Sequence, residues 1–229
     1  MTDVLTTRWT DGAPPLGDAL VVVAPHPDDE VIAAAGLMSW CTSVGVPVRV
    51  VAVTDGEMSH ARSLRITPDE VRVRRIAERA AALLVLGLAP AVDRLCVPDG
   101  QIGRHERRLA DAIAELAPAG ATVVAPWRHD RHPDHEATGR AAAVAARRTG
   151  ATLWEVPIWA KVARTVAPGP GRRHSQLVLE PAMVGLKARS VGCFGSQLTA
   201  VGPDPLDGPV VHPHELAAML DGHEAVLWR

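Results

Sequence analysis

Short apolar, β-branched runs alternate along this chain with longer stretches in which Ala, Leu and Arg recur at helical spacing. The short runs predict strands near residues 19–24, 48–53, 92–97, 121–125 and 152–157; the long stretches predict helices near 30–44, 69–86, 104–117 and 134–149. Such alternation predicts an α/β fold whose mostly parallel central sheet is covered by helices on both faces. The run from Val48 to Val53, interrupted only by Arg49, fits a strand buried on both sides. Gly36 fits close packing and Gly45 a helix stop, while Thr67, Pro68 and Glu70 read as N-cap, first helical position and capping-box partner. Beyond Pro157 the pattern loosens. Ile158 to Ala160 read as a strand edge, residues 168–173 as a loop, His174 to Glu180 as a strand and 181–194 as a helix. No repeat or composition shift divides the 229 residues, which read as a single domain, 1–229, with a polar lead-in at 1–18.

Two of the predicted strand-to-helix junctions carry the densest chemistry. At the first, Val21-Val22-Val23-Ala24 gives way to Pro25-His26-Pro27-Asp28-Asp29-Glu30; at the second, an apolar run ending at Ala125 gives way to a segment that closes on Asp130-Arg131-His132-Pro133-Asp134-His135. In open α/β sheets ligands gather at the C-terminal ends of strands, and a helix N-terminus there keeps nearby carboxylates ionised. Asp28 and Asp29 also suit helix capping, so the first junction alone leaves both readings open. With His-Pro-Asp at both junctions, the chain offers the imidazoles and carboxylates that a borderline divalent cation takes, usually three in a catalytic site. His26, Asp29 and His135 can furnish that set, with Asp28 and His132 left beside it. Spacing by itself does not separate a base from a ligand.

The pairing of His26-Pro27-Asp28-Asp29-Glu30 with His132-Pro133-Asp134-His135 resembles the LmbE-like, or PIG-L, family of zinc-dependent N-deacetylases. Val53 to Glu57, Arg75-Ile76-Ala77-Glu78 followed by Leu86-Gly87, Pro98-Asp99-Gly100, and Lys187 through Ser196-Gln197 resemble further landmarks, so the likeness spans roughly residues 19–197. It implies a Rossmann-like three-layer sandwich and removal of an N-acetyl (acyl) group from an amino sugar or glycoconjugate. It also implies zinc held by His26, Asp29 and His135, with iron(II) and cobalt(II) accepting the same donors. Asp28 would be the general base, and His132 the donor to the acyl oxygen or the proton source, oriented by Asp130 or Asp134. Arg75 and Asp99 would touch the substrate. Some members carry a Tyr just before the second motif; this chain has no Tyr, and Asp130 stands in that place. Whatever the Tyr does elsewhere is absent here or falls to His132, Trp127 or the metal.

Composition narrows the partners. A net charge of −2 gives no bulk basis for binding nucleic acid or an anionic membrane, and no apolar run approaches a membrane span. Phe194 is the only Phe, so aromatic contacts to a ligand fall to the six Trp residues or to His. The three widely spaced cysteines, Cys41, Cys96 and Cys193, make neither a disulfide framework nor a Cys-type zinc site. A start without a basic region and long apolar core adds the expectation of a cytoplasmic protein. The expected partner is a small N-acetylated sugar or glycoconjugate, and a homo-oligomer is left open.

The loop from Glu57 to Thr67 leads off a strand's C-terminal end and reads as a rim of the site or as a solvated connection, the latter slightly preferred. His212, His214 and His223 beside Glu215 and Glu224 read as a polar terminal helix ahead of a second metal site. Two other functions stay in view: an amidase for a different small amide, such as a thiol conjugate or biosynthetic intermediate, and a non-catalytic Rossmann-like metal- or ligand-binding protein. Against the last, Pro25-His26-Pro27 stands where a dinucleotide site would place Gly-x-Gly-x-x-Gly.

Overall fold

The first predicted strand is realised as β2 (Leu20–Ala24) in a computed structural model that describes residues 8–89, 92–167 and 169–229. Residues 1–7 of the expected lead-in and Pro168 of the expected loop lie outside the described residues. Successive side chains of a strand point to opposite faces, and β2 uses both. Leu20 and Val22 pack into one apolar layer with Val31, Leu37 and Leu83; Val21 and Val23 pack into another with Leu109, Ile113 and Ala142. The first layer is covered by α1 (Asp29–Ser43), α2 (Pro68–Val85) and α6 (Pro181–Val191), the second by α3 (Glu106–Leu116) and α4 (Pro133–Thr149). The result is the expected three-layer α/β sandwich.

The described residues form an eight-stranded sheet in the order β1-β7-β8-β6-β5-β2-β3-β4. Its parallel half comprises β6 (Thr152–Val156), β5 (Thr122–Pro126), β2, β3 (Val48–Ala52) and β4 (Asp93–Arg94). Val22 pairs with Val50 on one side and with Val124 on the other. The chain runs outward from β2 through β3 to β4, then returns to place β5 against the opposite edge of β2. That reversal opens a crevice beyond the C-terminal ends of β2 and β5, where an α/β sheet binds its ligands. The expected strand at 92–97 is regular only at Asp93–Arg94, although Leu95 and Val97 still donate to Ala52 O and Val53 O.

Three expectations change. Part of the lead-in forms β1 (Arg8–Thr10), which pairs with β7 (Arg173–Val178). Ile158 to Ala160 do not extend a strand: the chain turns there into α5 (Trp159–Val162), whose first amides bond to a buried carboxylate described below. The tail is not one polar helix. Short α7 (Gly195–Leu198) and α8 (Pro213–Met219) precede β8 (His223–Trp228), which inserts antiparallel between β6 and β7 because its Ala225 to Trp228 are apolar and buried.

β8 also brings Glu224 against α1. That helix breaks at Ala34 (φ −143°), which frees the amides of Gly36 and Leu37. Both donate to the Glu224 carboxylate, at 2.8 and 2.9 Å, and Lys187 Nζ lies 3.0 Å from it. A Cβ at Gly36 would fall 2.3 Å from Leu179 Cδ2, so the close approach needs glycine there. Lys187 and Glu224 are almost wholly buried. Removing one partner of a buried pair strands the other, at a cost of about 3–5 kcal/mol. Lys187→Met is therefore expected to lower the unfolding free energy by that order in a urea titration; a loss within about 0.5 kcal/mol would show the pair to be dispensable.

Candidate metal centre and cleft

β2 ends at Ala24, and the chain bends at Pro25 and His26 and turns at Pro27 and Asp28 before α1 begins, which leaves His26 at the end of the strand. Neither aspartate of the turn caps α1. Asp28 occupies the N-cap position with φ 130° and makes no capping bond; Asp29 Oδ2 accepts instead from the amide of His26 at 2.9 Å. A non-glycine residue at such a φ is strained, and strain of this kind persists only where surrounding contacts hold it. Here Arg75 of α2 does so, donating to Pro27 O, to Gly56 O and, at 3.0 Å, to Asp28 Oδ2. Gly56 has φ +68°, and a Cβ there would lie 2.2 Å from the Arg75 guanidinium. Thr54 completes the brace by donating to Pro25 O at 2.8 Å.

β5 delivers the second cluster beside the first. His135, in the first turn of α4, has Nε2 3.3 Å from Asp29 Oδ2, and His26 Nδ1 lies 3.2 Å from the same oxygen. His26, Asp29 and His135 each offer one donor atom within 4.8 Å of one another. The outer hydrogen bonds fix which imidazole nitrogen faces inward. His135 Nδ1 lies 2.7 Å from Asp130 Oδ2, so it carries the proton and Nε2 presents its lone pair. His26 Nε2 lies 3.2 Å from Asp99 Oδ1 and 3.4 Å from Asp134 Oδ2, which leaves Nδ1 as the inward donor.

His26, Asp99 and Asp134 also cluster closely enough to be read as a cation site. Their partners argue otherwise. Asp134 already accepts from the amides of Gly100 and Ile102, and Asp99 from that of Met58, so these carboxylates serve to anchor loops and to polarise His26. The chemistry of the inner set fits a divalent metal: two imidazole lone pairs and one carboxylate converge, each backed by a hydrogen-bond partner. The local field favours positive charge. Burial opposes it, yet Asp29 and Asp130 together raise His135 to about 9, and Asp134, Asp29 and Asp99 raise His26 well above its ordinary value. Despite its burial, Asp29 is held well below the usual carboxylate range by His135 and His26.

Asp28 and His132 stand on the cleft wall beside this set. Burial pushes the Asp28 carboxyl up to about 7, a rise that Arg75 resists and Asp29 reinforces. Burial, with His135 and His26 nearby, lowers His132 to about 4, so its ring is neutral at pH 7. His132 Nδ1 accepts from the Asp134 amide at 3.3 Å, which leaves the proton on Nε2. The expected pairing of His132 with the carboxylate of Asp130 or Asp134 is not what the structure shows: Asp130 serves His135, Asp134 serves His26, and a backbone amide orients His132. Asp130 is fully buried, and besides His135 it receives the amides of Ile158, Trp159 and Ala160.

The cleft has a volume of about 270 Å³. Arg75 and Asp99 line it, though each also makes a structural contact, to Asp28 and His26 respectively. The loop after β3 forms a rim and does not run free: Met58 and Ser59 line the cleft, and Ser59 Oγ accepts from Gln197 Nε2 at 3.3 Å. Ile32 and Met219 line the cleft without any local pattern that marks them in the sequence, whereas Ser59 falls in the loop read as a rim or a solvated connection. Gln197 sat in a noted landmark without a role. His212 and His214 stack on each other, and among the described residues no metal-competent cluster includes them or His223.

The family described as PIG-L, GlcNAc-PI de-N-acetylase, matches residues 21–146. The chain belongs to the PIG-L family. A Bacillus cereus protein named as a probable N-acetyl-alpha-D-glucosaminyl L-malate deacetylase is 30% identical over 141 residues, 56% of this chain and 61% of that relative. The chain thus spans less than two thirds of the length of the curated relatives it matches first. Among solved structures, the A40926 pseudoaglycone deacetylase superposes with a TM-score of 0.67 at 23% identity, covering 92% of this chain and 96% of that one. The 4-carboxy-2-hydroxymuconate hydratase from Pseudomonas putida shares the fold at a TM-score of 0.59 and 21% identity, covering 79% and 80%. The fold therefore carries more than one chemistry, and the site must select among them.

Asp130 offers a direct test of the outer hydrogen bonds. Asp130→Asn keeps the side-chain shape and one acceptor for the α5 amides but removes the carboxylate facing His135 Nδ1. Divalent metal affinity is expected to fall roughly 10- to 100-fold with the fold retained by circular dichroism; an unchanged affinity by competition with a chromogenic chelator would free His135 from Asp130.

Proposed function

We propose that this chain is a metal-dependent hydrolase that removes an N-acetyl, or more generally N-acyl, group from an amino sugar or glycoconjugate. The observation that carries it is the pairing, beside one three-donor metal set, of a carboxyl poised near neutrality with a neutral imidazole donor. Zinc is the proposed ion, and iron(II) or cobalt(II) would fit the same donors. Family membership and the N-acetylglucosaminyl substrate in the name of the Bacillus cereus relative support the substrate class.

A cation held by His26, Asp29 and His135 supplies Lewis acidity, making water a stronger nucleophile and the acyl carbon more electrophilic. Asp28 takes one proton from the attacking water as its oxygen bonds to the acyl carbon. With a carboxyl pushed up to about 7, Asp28 both accepts this proton and releases it readily. His132 Nε2–H donates to the acyl oxygen as negative charge grows there, a task for which a neutral ring with a fixed tautomer suits. Asp28 then delivers its proton to the nitrogen as the carbon–nitrogen bond breaks, leaving a carboxylic acid and a free amine. Arg75 holds Asp28 in place throughout, so its first role is positioning, with substrate contact from the same cleft position.

No described helix is long and apolar enough to cross a membrane. The thiols of Cys41, Cys96 and Cys193 are all free, which supports a reducing, cytoplasmic setting.

Asp28 and Asp29 are expected to fail differently. Asp29→Ala removes one of three donors, so metal content by elemental analysis should fall well below about one per chain, with partial rescue by excess zinc. Asp28→Ala should keep its metal and bind substrate yet turn over far more slowly, and added zinc should not help. Equal metal loss in both variants would make Asp28 a ligand. Chelation of the unaltered protein should abolish amine release and zinc should restore it.

For His132→Ala, kcat is expected to drop by a factor on the order of 10² or more with metal content intact, the usual cost of one preorganised donor. Loss of the metal in that variant would instead assign His132 to the donor set.

A further inference from the structure

The family match ends at residue 146, yet Ile158, Trp159 and Met219 line the same cleft as the metal set. We propose that these residues form an acyl pocket, and that the substrate is an amino sugar whose N-acyl group is longer than acetyl; this rests on the hydrolase reading above. The strand order sets the geometry. Ser59 follows β3 and Asp99 follows β4, on one side of β2, whereas Ile158 and Trp159 follow β6, on the far side of β5. Met219 belongs to α8, which packs against α5 on that same side. The metal donors, after β2 and β5, lie between the two walls.

The hydrogen-bonding side chains of the two walls lie on the first, where Met58 stands among them; Ile158, Trp159 and Met219 make the second apolar. Ser59 Oγ and the Asp99 carboxylate offer hydrogen-bonding partners to hydroxyl groups, and Gln197, which lines the cleft beside them, donates to Ser59. Opposite, Ile158 and Met219 are almost entirely shielded from bulk solvent, with Trp159 half-buried beside them. An amide sends its acyl chain and its nitrogen substituent away from the carbonyl carbon in opposite directions. With the carbonyl at the metal set and a polyhydroxylated sugar on the polar wall, the acyl chain runs toward Ile158, Trp159 and Met219. β6 borders β5, and the Ile158 amide shares Asp130 with His135, so the wall begins beside the metal set; its three large side chains present more apolar surface than one acetyl methyl covers. An extended chain of five or six carbons would cover the wall.

A second void, of about 10 Å³, lies behind this wall, lined by Ile32, Ile158 and Met219 together with Lys161, His223 and Glu224. Met219 is the side chain of the wall best able to rearrange around an irregular apolar guest.

The test compares kcat/KM for amine release from N-hexanoylglucosamine and N-acetylglucosamine by the full chain supplied with zinc. The hexanoyl amide is expected to be preferred by at least about tenfold, because each methylene buried in an apolar pocket contributes several-fold. Met219→Gln and Trp159→Ala should each erase most of that ratio; Trp159 is only half-buried, so its variant serves if the Met219 variant fails to fold. Equal kcat/KM for the two amides overturns the acyl pocket and leaves the hydrolase reading standing. A hexyl glycoside of N-acetylglucosamine preferred tenfold over the methyl glycoside, without an acyl preference, also overturns it and assigns the wall to the group on the sugar's anomeric carbon. Cleavage of none of these amides overturns both readings together.

Discussion

A single carboxylate oxygen, Asp29 Oδ2, stands between two imidazole nitrogens at 3.2 and 3.3 Å, and most of the local architecture follows from keeping it there. Taking a carboxylate out of water is costly unless donors or cations replace the lost hydration. The donors come from chain segments about a hundred residues apart, His26 after β2 and His135 after β5. Only the pairing of β2 with β5 brings them together, so the sheet topology is itself a condition of the site. Around this centre lies an outer ring of acceptors. Asp130 fixes His135, while Asp99 and Asp134 fix His26, and each of these carboxylates is tied to backbone amides of a neighbouring loop. The loops bordering the cleft are thus anchored to the same hydrogen-bond network that orients the donors.

The neighbouring Asp28 is built by different means. Its backbone lies at φ 130°, a conformation that a side-chain-bearing residue holds only under constraint, and Arg75 supplies that constraint through Pro27 O, Gly56 O and the carboxylate itself. Gly56 must lack a side chain for the guanidinium to fit. Burial raises the Asp28 carboxyl while Arg75 prevents it from rising further, and the balance lies near neutrality. Two adjacent aspartates therefore end with opposed electrostatics, one strongly ionised between imidazoles and one poised to exchange a proton.

The part of the chain beyond residue 146 contributes in another way. β8 inserts into the sheet, Glu224 satisfies the amides freed by the break in α1, and Lys187 neutralises Glu224. The same region supplies Ile158, Trp159 and Met219 to the cleft, so the candidate metal donors and these apolar lining residues come from different parts of the chain.

Periodicity and turn chemistry determined most of the elements: Val21 to Val23 form a doubly buried strand, the Val48 to Val53 run is fully buried only from Val50 on, with Arg49 exposed, and Thr67-Pro68-Asp69-Glu70 starts a helix with the capping box read from the sequence. The two His-Pro-Asp junctions likewise marked the candidate donors that the fold brings together, because imidazoles and carboxylates at strand ends are legible in order along the chain. What sequence left open needed distances across the sheet. Whether Asp28 caps a helix or faces the cleft depends on Arg75, which lies 47 residues away. That Asp130 serves His135 rather than His132 depends on where β6 delivers the amides of α5. The tail became a central strand because its apolar face found a gap between β6 and β7, a vacancy that no local pattern announces. Local propensity is written in neighbouring residues, whereas hydrogen-bond partners, proton affinities and the walls of a cleft are set by chain segments that only the tertiary fold brings into contact.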